Sequence, residues 1–355
     1  MMKEKLPLFC IILMICLPSV DGQFTGRQCI VKSEFIYNQA DVPFPSCHAS
    51  TVIENGKGLV SAWFGGTAER NQDVGIWISI YNKGIWSKPV EAANGIQHKN
   101  KRYPCWNPVL FNAGKEILLF YKVGPSPSQW WGELKTSSDG GKTWSLSRHL
   151  PEDITGPVKN KPVLLSNGTL LCPSSTENDG WRIHMEFTQD LGKTWERTGA
   201  LNKSDTGAIQ PAILRHKDGM LQILCRSTVD RILSSWSSDE GRTWRPLTPL
   251  DLPNPNSGID AVTLKDGRHI LVYNHLTDGR NCLNAAMSEN GREWKAAALL
   301  ESDAKGTEFS YPAVIQANNG MIHITYTWNR KLIKHVVIDP ARIITKPFLN
   351  GEWPD

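Results

Sequence analysis

Two sequence patterns recur about every 50 residues and constrain this chain more than anything else in it. The first is a turn, Ser137-Ser-Asp139-Gly-Gly-Lys-Thr-Trp144. It returns as Thr188-Gln-Asp190-Leu-Gly-Lys-Thr-Trp195 and Ser237-Ser-Asp239-Glu-Gly-Arg-Thr-Trp244, in worn form as Ser288-Glu-Asn290-Gly-Arg-Glu-Trp294, and more weakly as Tyr81-Asn-Lys-Gly84-Ile-Trp86. The Trp residues follow one another at intervals of 58, 51, 49 and 50. Such a turn reads as a hairpin: the Asp side chain accepts hydrogen bonds from its own backbone, Gly supplies positive φ, and Trp folds back into the core.

The second pattern is a strand that starts polar, usually passes through Pro, and runs apolar to a Gly turn and another apolar strand. Copies begin at His48-Ala-Ser-Thr-Val, Asn107-Pro-Val-Leu, Lys161-Pro-Val-Leu, Gln210-Pro-Ala-Ile, Asp260-Ala-Val-Thr and Tyr311-Pro-Ala-Val, with turns at Gly56, Gly114, Gly168, Gly219, Gly267 and Gly320. Six units of this length, each with room for four short strands, predict an all-β six-bladed β-propeller, in which radial repetition leaves few exposed sheet edges. Tandem β-sandwiches would not repeat one strand and one turn in register along the whole chain. The unit from Tyr311 to Ile338 lacks an outer strand, and Cys29 to Tyr37 reads as a free strand, so their pairing is expected to close the ring. The composition agrees: 29 Gly, 22 Pro and 14 Trp without low complexity suit many strands and tight turns.

Residues 1–22 read as an export signal, with Lys3 and Lys5 before the apolar run Leu6 to Leu17 and small residues Val20 and Gly22 before Gln23. The propeller is then expected over 23–355 as one domain, exported to a periplasmic or extracellular location. The apolar run is short for a membrane span, so no membrane insertion is expected. With 39 Lys+Arg against 35 Asp+Glu, a formal charge of +4 and no basic tract, a nucleic-acid partner is not indicated. Cys29, Cys47, Cys105, Cys172, Cys225 and Cys282 have no metal-ligand spacing, and those within apolar runs read as buried free thiols. No cofactor motif is present, and nothing calls for a metal.

In a propeller the innermost strands line the axis, so equivalent strand starts converge on one face. The expected ring is His48, Trp106/Asn107, Asn160/Lys161, Gln210, Asp260 and Tyr311, a polar set suited to a sugar-like ligand. Clusters such as Arg102-Tyr103-Pro-Cys-Trp106-Asn107, Gln129-Trp130-Trp131, Asn178-Asp-Gly-Trp181-Arg182, Asn254-Pro-Asn256-Ser and Thr327-Trp328-Asn329-Arg330 put flat rings beside donors and cations. Rings pack on pyranose C–H faces, and Lys122, Lys161, Arg182, Arg226, Arg280 and Arg330 exceed what a neutral sugar needs. Trp63, Trp77 and Trp236 are expected in blade cores.

The Asp-box turns and the six units resemble the sialidase superfamily, and within it a neuraminidase branch with BNR repeats, over roughly residues 40–340. The resemblance implies an arginine triad gripping a substrate carboxylate, a Tyr nucleophile assisted by Glu, and an Asp general acid. It maps Arg226 and Arg280 to two triad positions, Tyr311 to the nucleophile and Asp73 to the acid. Two positions depart from the pattern. His48 stands where the family has an Arg, and Gln210 stands where it has the Glu, an amide that cannot take a proton from a phenol.

The expectation is an exo-acting glycosidase releasing a terminal acidic sugar, sialic, ulosonic or uronic, from a glycan. Its candidate catalytic groups are Asp73, Tyr311, Asp260 and His48. Candidate substrate contacts are Arg226, Arg280, Lys161, Gln210, Asn107, Arg102, Arg182, Trp328 and Arg330. Asp260 with Asp73 also reads as a carboxylate pair of glycosidase type. A His48-dependent lyase or atypical glycosidase acting beside a uronate, and a propeller that binds glycan without cleaving it, stay open alongside.

Overall fold

The computed structural model describes residues 24–355, so the expected export signal lies outside the described residues. Six antiparallel sheets follow one another along the chain as the blades of a propeller. The first contains Ser46–Glu54, Leu59–Gly66 and Gly75–Asn82, with Ile85–Trp86 and Val90–Ala93 as a divided outer edge. The second runs Cys105–Asn112, Ile117–Val123, Trp131–Ser137 and Arg148–His149, and the third Val163–Leu164, Leu170–Thr176, Arg182–Thr188 and Glu196–Arg197. The fourth is Ala208–Arg215, Leu221–Ser227, Arg231–Ser237 and Thr248–Pro253; the fifth is Asp260–Thr263, His269–Tyr273, Cys282–Ser288 and Lys295–Ser302. In the sixth, Phe309–Gln316, Ile322–Trp328 and Leu332–Ile338 are completed by Ile30–Phe35 from the start of the described chain. That strand runs antiparallel to the last one, Ile30 opposite Ile338 and Phe35 opposite Lys334, and closes the ring as expected. Among the described residues no helix is long and apolar enough to cross a membrane.

Alternating strands with two buried faces must stack on one another, and the apolar clusters accordingly lie between neighbouring blades. Val60, Ala62, Leu119 and Tyr121 join the first and second blades; Ile183, Met185, Ile223 and Cys225 join the third and fourth. Trp63 is fully buried and stacks on Tyr37 at 5.1 Å, and Trp77 packs on Phe44 at 4.9 Å. Trp236 is half-buried between the His216 ring and the Arg292 guanidinium, each 4.5 Å away. Trp328, expected as a substrate contact, instead belongs to this scaffold. Its ring sits between Phe35 at 5.3 Å and Phe309 at 6.3 Å, because the closing strand brings Phe35 across it.

The Asp-box turns close the third strand of their blades onto the outer edge, away from the axis. Asp139 Oδ1 accepts from the Lys142 and Thr143 amides at 3.0 and 2.9 Å, Thr143 Oγ1 donates to Oδ2 at 2.6 Å, and Trp144 Nε1 donates to the Gly141 carbonyl at 3.1 Å. Asp190 and Asp239 repeat the pattern with Thr194 and Thr243. The glycine before the Lys/Arg-Thr pair has φ near +90° in each (Gly141 +94°, Gly192 +86°, Gly241 +84°), where a Cβ would be strained. In the worn copy Asn290 Oδ1 takes the Arg292 and Glu293 amides, both at 2.9 Å. All six cysteines among the described residues are free, five of them buried.

Candidate functional site

Four of the innermost strands carry the same backbone irregularity. The pairing register slips between His48 and Thr51, opposite Trp106–Val109, between Ile209 and Ala212, and between Ser310 and Ala313. At each slip one non-glycine residue has positive φ: Ala49 (56°), Asn107 (32°), Gln210 (55°) and Tyr311 (51°). A bulge with its first residue in the left-handed region re-aims a side chain that the pleat would otherwise hold in the blade. This geometry costs a non-glycine residue roughly 1–3 kcal/mol and persists only where the surroundings enforce it. It also corrects the ring read from sequence. His48 is equivalent to Trp106, Ile209 and Ser310, and Ala49 holds the bulge position in the first blade. In the third blade the left-handed residue is Lys159 (72°), ahead of the expected Asn160/Lys161.

Tyr311 is brought against two arginines. Arg226, buried at the end of the second strand of the fourth blade, donates from Nη1 to the Tyr311 hydroxyl at 2.6 Å, and Gln210 Oε1 lies 3.4 Å from the same nitrogen. Its other nitrogens grip Asn256: Nε and Nη2 donate to Oδ1 at 3.0 and 2.7 Å, and Nη2 also meets the Asn256 carbonyl. The guanidinium stacks on Trp181 at 5.1 Å and lies 5.6 Å from the Tyr311 ring centroid. Arg280 approaches the same ring at 5.8 Å, with Nη2 3.4 Å from the Asn256 carbonyl. The Asn254-Pro-Asn256-Ser loop therefore holds the cations in place.

A third guanidinium joins through Glu308. Arg280 Nη1 donates to Glu308 Oε1 at 3.1 Å, Arg330 Nε to Glu308 Oε2 at 2.9 Å, and Ser310 Oγ to Oε1 at 2.6 Å. Arg330 also meets Glu69 at 2.5 Å. Burial pushes the Glu308 carboxyl up, but Arg330, Ser310 and Arg280 outweigh it and leave it below its ordinary value. Arg280 and Arg330 are thus paired with carboxylates, whereas the direct partners of Arg226 are all neutral. A desolvated cation with neutral partners is the natural anchor for a ligand carboxylate.

His48 packs its ring on Tyr311, centroids 4.1 Å apart, and shares a 3.0 Å hydrogen bond between Nδ1 and Thr327 Oγ1. Its Nε2 is buried without a partner. Burial, then Arg330, Arg280, Arg226 and Lys159, hold the imidazole well below its ordinary value, so it is neutral at pH 7. Glu177, which sequence reasoning missed, shares one of these cations, Arg226: burial pushes its carboxyl up, against the pull of Arg226 and Trp181.

Other expected site residues lie elsewhere. Asp260 was expected as nucleophile or base, but both oxygens are engaged. Lys161 Nζ donates to them at 2.9 and 2.8 Å, Ala261 N to Oδ1 at 2.9 Å and Val314 N to Oδ2 at 2.8 Å, a buried tie between the third, fifth and sixth blades. Lys161, expected to touch substrate, is consumed in that tie. Lys159 is the lysine that reaches the axis, with Nζ donating to Asn160 Oδ1 at 2.9 Å, to the Ile259 carbonyl at 2.6 Å and to the Pro312 carbonyl beside Tyr311. Burial, partly offset by Asp260, pulls it down to about 7.

Asp73 stands on the exposed 67–73 loop, where Thr67 N and Oγ1 both donate to Oδ2 at 2.7 and 2.5 Å. Arg102 braces this loop, donating from Nη2 to the Asp73 carbonyl at 2.7 Å and lying 3.5 Å from Glu91. Arg182 is held by the Asp179 and Asn202 carbonyls at 3.0 and 3.1 Å, and Asn107 lies buried in its bulge. Lys122 is sealed in the second blade, donating to the Pro157 carbonyl at 2.9 Å.

Comparison with known proteins agrees with this architecture. A sialidase from Bacteroides fragilis is 23% identical over 214 residues, 54% of this chain, and the chain spans only 38% of the length of that protein. An intramolecular trans-sialidase from Ruminococcus gnavus superposes with a TM-score of 0.70 at 13% identity, covering 90% of this chain and 99% of its own. A Hadza microbial sialidase gives 0.76 at 16% identity, covering 88% and 69%, and a protein of unknown function from Dyadobacter fermentans gives 0.71 at 16%, covering 87% and 98%. At these identities the likeness is one of fold. The family model for the BNR repeat-like domain matches residues 57–324, and the chain belongs to that family within the sialidase superfamily.

Proposed function

We propose that this protein is a glycoside hydrolase of the sialidase type that releases a terminal acidic sugar from a glycan. The carrying observation is the 2.6 Å hydrogen bond from Arg226 to the Tyr311 hydroxyl, formed by a buried guanidinium whose direct partners are all neutral. A sugar carboxylate set against Arg226, with Arg280 beside it, presents its anomeric carbon to the Tyr311 oxygen. A guanidinium at that oxygen also stabilises the negative charge that a phenol acquires as it becomes a nucleophile. Asp73, steadied through Oδ2 by Thr67, offers Oδ1 as the acid that protonates the departing glycosidic oxygen. As Tyr311 bonds to the anomeric carbon its phenol proton passes to solvent; in the second half-reaction the Asp73 carboxylate takes a proton from the water that displaces Tyr311, giving the free sugar, and the departing phenoxide regains a proton from solvent.

His48 reshapes the clamp. A neutral imidazole replaces the bidentate cation the family places in the first blade, and Arg330 brings its charge in from the sixth blade, already shared between Glu308 and Glu69. The acidic sugar is therefore gripped chiefly from the Arg226 side. One observation favours a second reading, a propeller that binds the sugar without cleaving it: Gln210 stands beside Arg226, so the Tyr311 proton has no carboxylate to go to there. Turnover of the purified chain on an α-sialoside beside uronate-capped and ulosonate-capped oligosaccharides, followed by mass and ultraviolet detection, separates the readings. Release of a saturated acidic monosaccharide supports the hydrolase. Affinity without product supports the binding propeller, and an unsaturated product absorbing in the ultraviolet overturns both.

A further inference from the structure

Lys159 takes no part in the chemistry at Tyr311, yet its side chain is buried at the axis. A lysine is almost never fully buried without partners for its charge, and the direct partners here are all neutral. Nζ donates to Asn160 Oδ1 at 2.9 Å, to the Ile259 carbonyl at 2.6 Å and to the Pro312 carbonyl. An ammonium has three N–H groups and no acceptor, so this tripod uses all of them and leaves none for a substrate.

Each leg of the tripod ends beside Tyr311 or Gln210. Pro312 follows Tyr311 directly, so its carbonyl is anchored one residue past the left-handed φ of 51°. Ile259 follows Gly258, against which the Tyr311 ring packs so closely that a Cβ added there would fall 3.0 Å from Tyr311 Cδ2. The third leg is relayed. Asn160 accepts from Lys159 through Oδ1 and donates from Nδ2 to the Gln210 carbonyl at 2.8 Å, so Gln210, at φ 55°, is fixed through the same ammonium. Asn160 is as buried as Lys159, so water does not compete for these bonds.

Two left-handed residues in different blades therefore share one anchor, supplied by a third blade. Such residues keep their strained backbone only where the surroundings over-determine it. Their side chains meet again at Arg226 Nη1, 2.6 Å from the Tyr311 hydroxyl and 3.4 Å from Gln210 Oε1. Lys159 holds the backbone of this circuit, and Arg226 holds its side chains.

We propose that Lys159 is a positioning residue for Tyr311: its ammonium, fixed to Pro312, to Ile259 and through Asn160 to Gln210, sets the direction in which the phenol leaves the sixth blade. The expected loss of turnover rests on the reading of Tyr311 as nucleophile, whereas the effect on the Tyr311 ring rests on the geometry alone.

Lys159→Met keeps the length of the side chain and removes its donors. Magnetic resonance of the full chain, labelled with carbon-13 at tyrosine Cζ, tests it at pH 6, below the value of about 7 to which burial pulls the lysine. Tyr311 is one of seven tyrosines, and its signal is identified by its loss in Tyr311→Phe. In Lys159→Met that signal is expected to shift or split while the other tyrosine signals stay in place. Turnover of an α-sialoside is expected to fall by about 100-fold, the cost of roughly 1 Å of misplacement at the reacting atoms, with calorimetric affinity for N-acetylneuraminate nearly retained. Lys159→Gln, a shorter side chain that cannot span the three acceptors, reads the same quantities should Lys159→Met fail to fold. A Tyr311 signal that does not move overturns the proposal whether or not the chain turns over. Turnover and affinity that fall together overturn it too, since general loss of structure does the same. A Tyr311 signal that moves in a chain without turnover on any acidic-sugar substrate supports Lys159 as the positioning residue and overturns the hydrolase reading instead.

Discussion

The outer turns and the axial bulges are both repeated around the ring, yet they repeat different things. At the outer edge the residues recur together with their bonds: Asp139, Asp190 and Asp239 each close the same loop onto a threonine and present a tryptophan to the blade. At the axis the backbone recurs, but the residue on it changes from Ala49 to Asn107, Gln210 and Tyr311. A constant side chain in a constant turn is what a scaffold needs. A constant left-handed backbone bearing a different group in each blade is how one architecture presents unlike chemistry at a single point.

That contrast is broken most decisively at Tyr311. If the phenol is the nucleophile, Tyr311→Phe lowers turnover by at least about 1,000-fold, in the range of other single losses from a catalytic unit, with folding and affinity nearly retained. Equal turnover in the variant would place the chemistry elsewhere. Gln210→Glu sharpens the same point in the other direction. A carboxylate beside Arg226 supplies the missing base, and turnover on a sialoside is expected to rise by about 100-fold, the lower end of general-base contributions; an unchanged or lower rate would show that Gln210 is not the limiting departure.

Arg226→Ala is expected to weaken binding of the free acidic sugar by about 100-fold, as befits a charge-assisted bidentate contact, measured by calorimetry alongside a thermal melt. The acid response of the scaffold comes next. Burial holds His48, His216, His275 and His335 below their ordinary value, and His269 and His323 down to about 4. Each histidine takes up a proton more readily when unfolded. The associated stability is therefore intact above pH 6.5 and is lost as pH falls from there towards 4, by up to about 1.4 kcal/mol per unit per group. Urea unfolding at pH 7, 6 and 5 reads this directly, and a midpoint that does not move would refute it. The smallest effect belongs to the outer turns: Asp190→Ala is expected to cost about 1 kcal/mol of stability, as loss of a capping side chain does, without altering ligand affinity.

The legible parts of the molecule were those that repeat or that follow a motif. Six blades, closure by the first described strand and the structural role of the Asp-boxes follow from periodicity, and Arg226, Arg280 and Tyr311 were picked out by their motif positions. Asp260 and Lys161 were misread because each looks like a free polar strand start until the ring closes. Their partnership spans 99 positions and depends on the third and fifth blades meeting at the axis. Lys159 escaped because the third blade's irregular segment displaces its left-handed residue ahead of the Pro that marks the other copies. Glu177, Glu308 and Glu69 lie in connections between strands, where no period operates. A Glu three residues ahead of Tyr311 was the one available signal, since the segment entering an axial strand opens onto the same face. Trp328 was assigned to substrate by its neighbours Asn329 and Arg330, although the closing strand claims its ring for the core.

The account turns on Arg226 acting as a receptor for a carboxylate at the axis. Titrating the unaltered chain with N-acetylneuraminate and with its methyl ester, which keeps the shape and removes the charge, tests this most directly. The account predicts saturable binding of the acid and at least tenfold weaker binding of the ester, the difference expected from one lost charge-assisted contact. Equal affinity for the two, or preference for the ester, would contradict it.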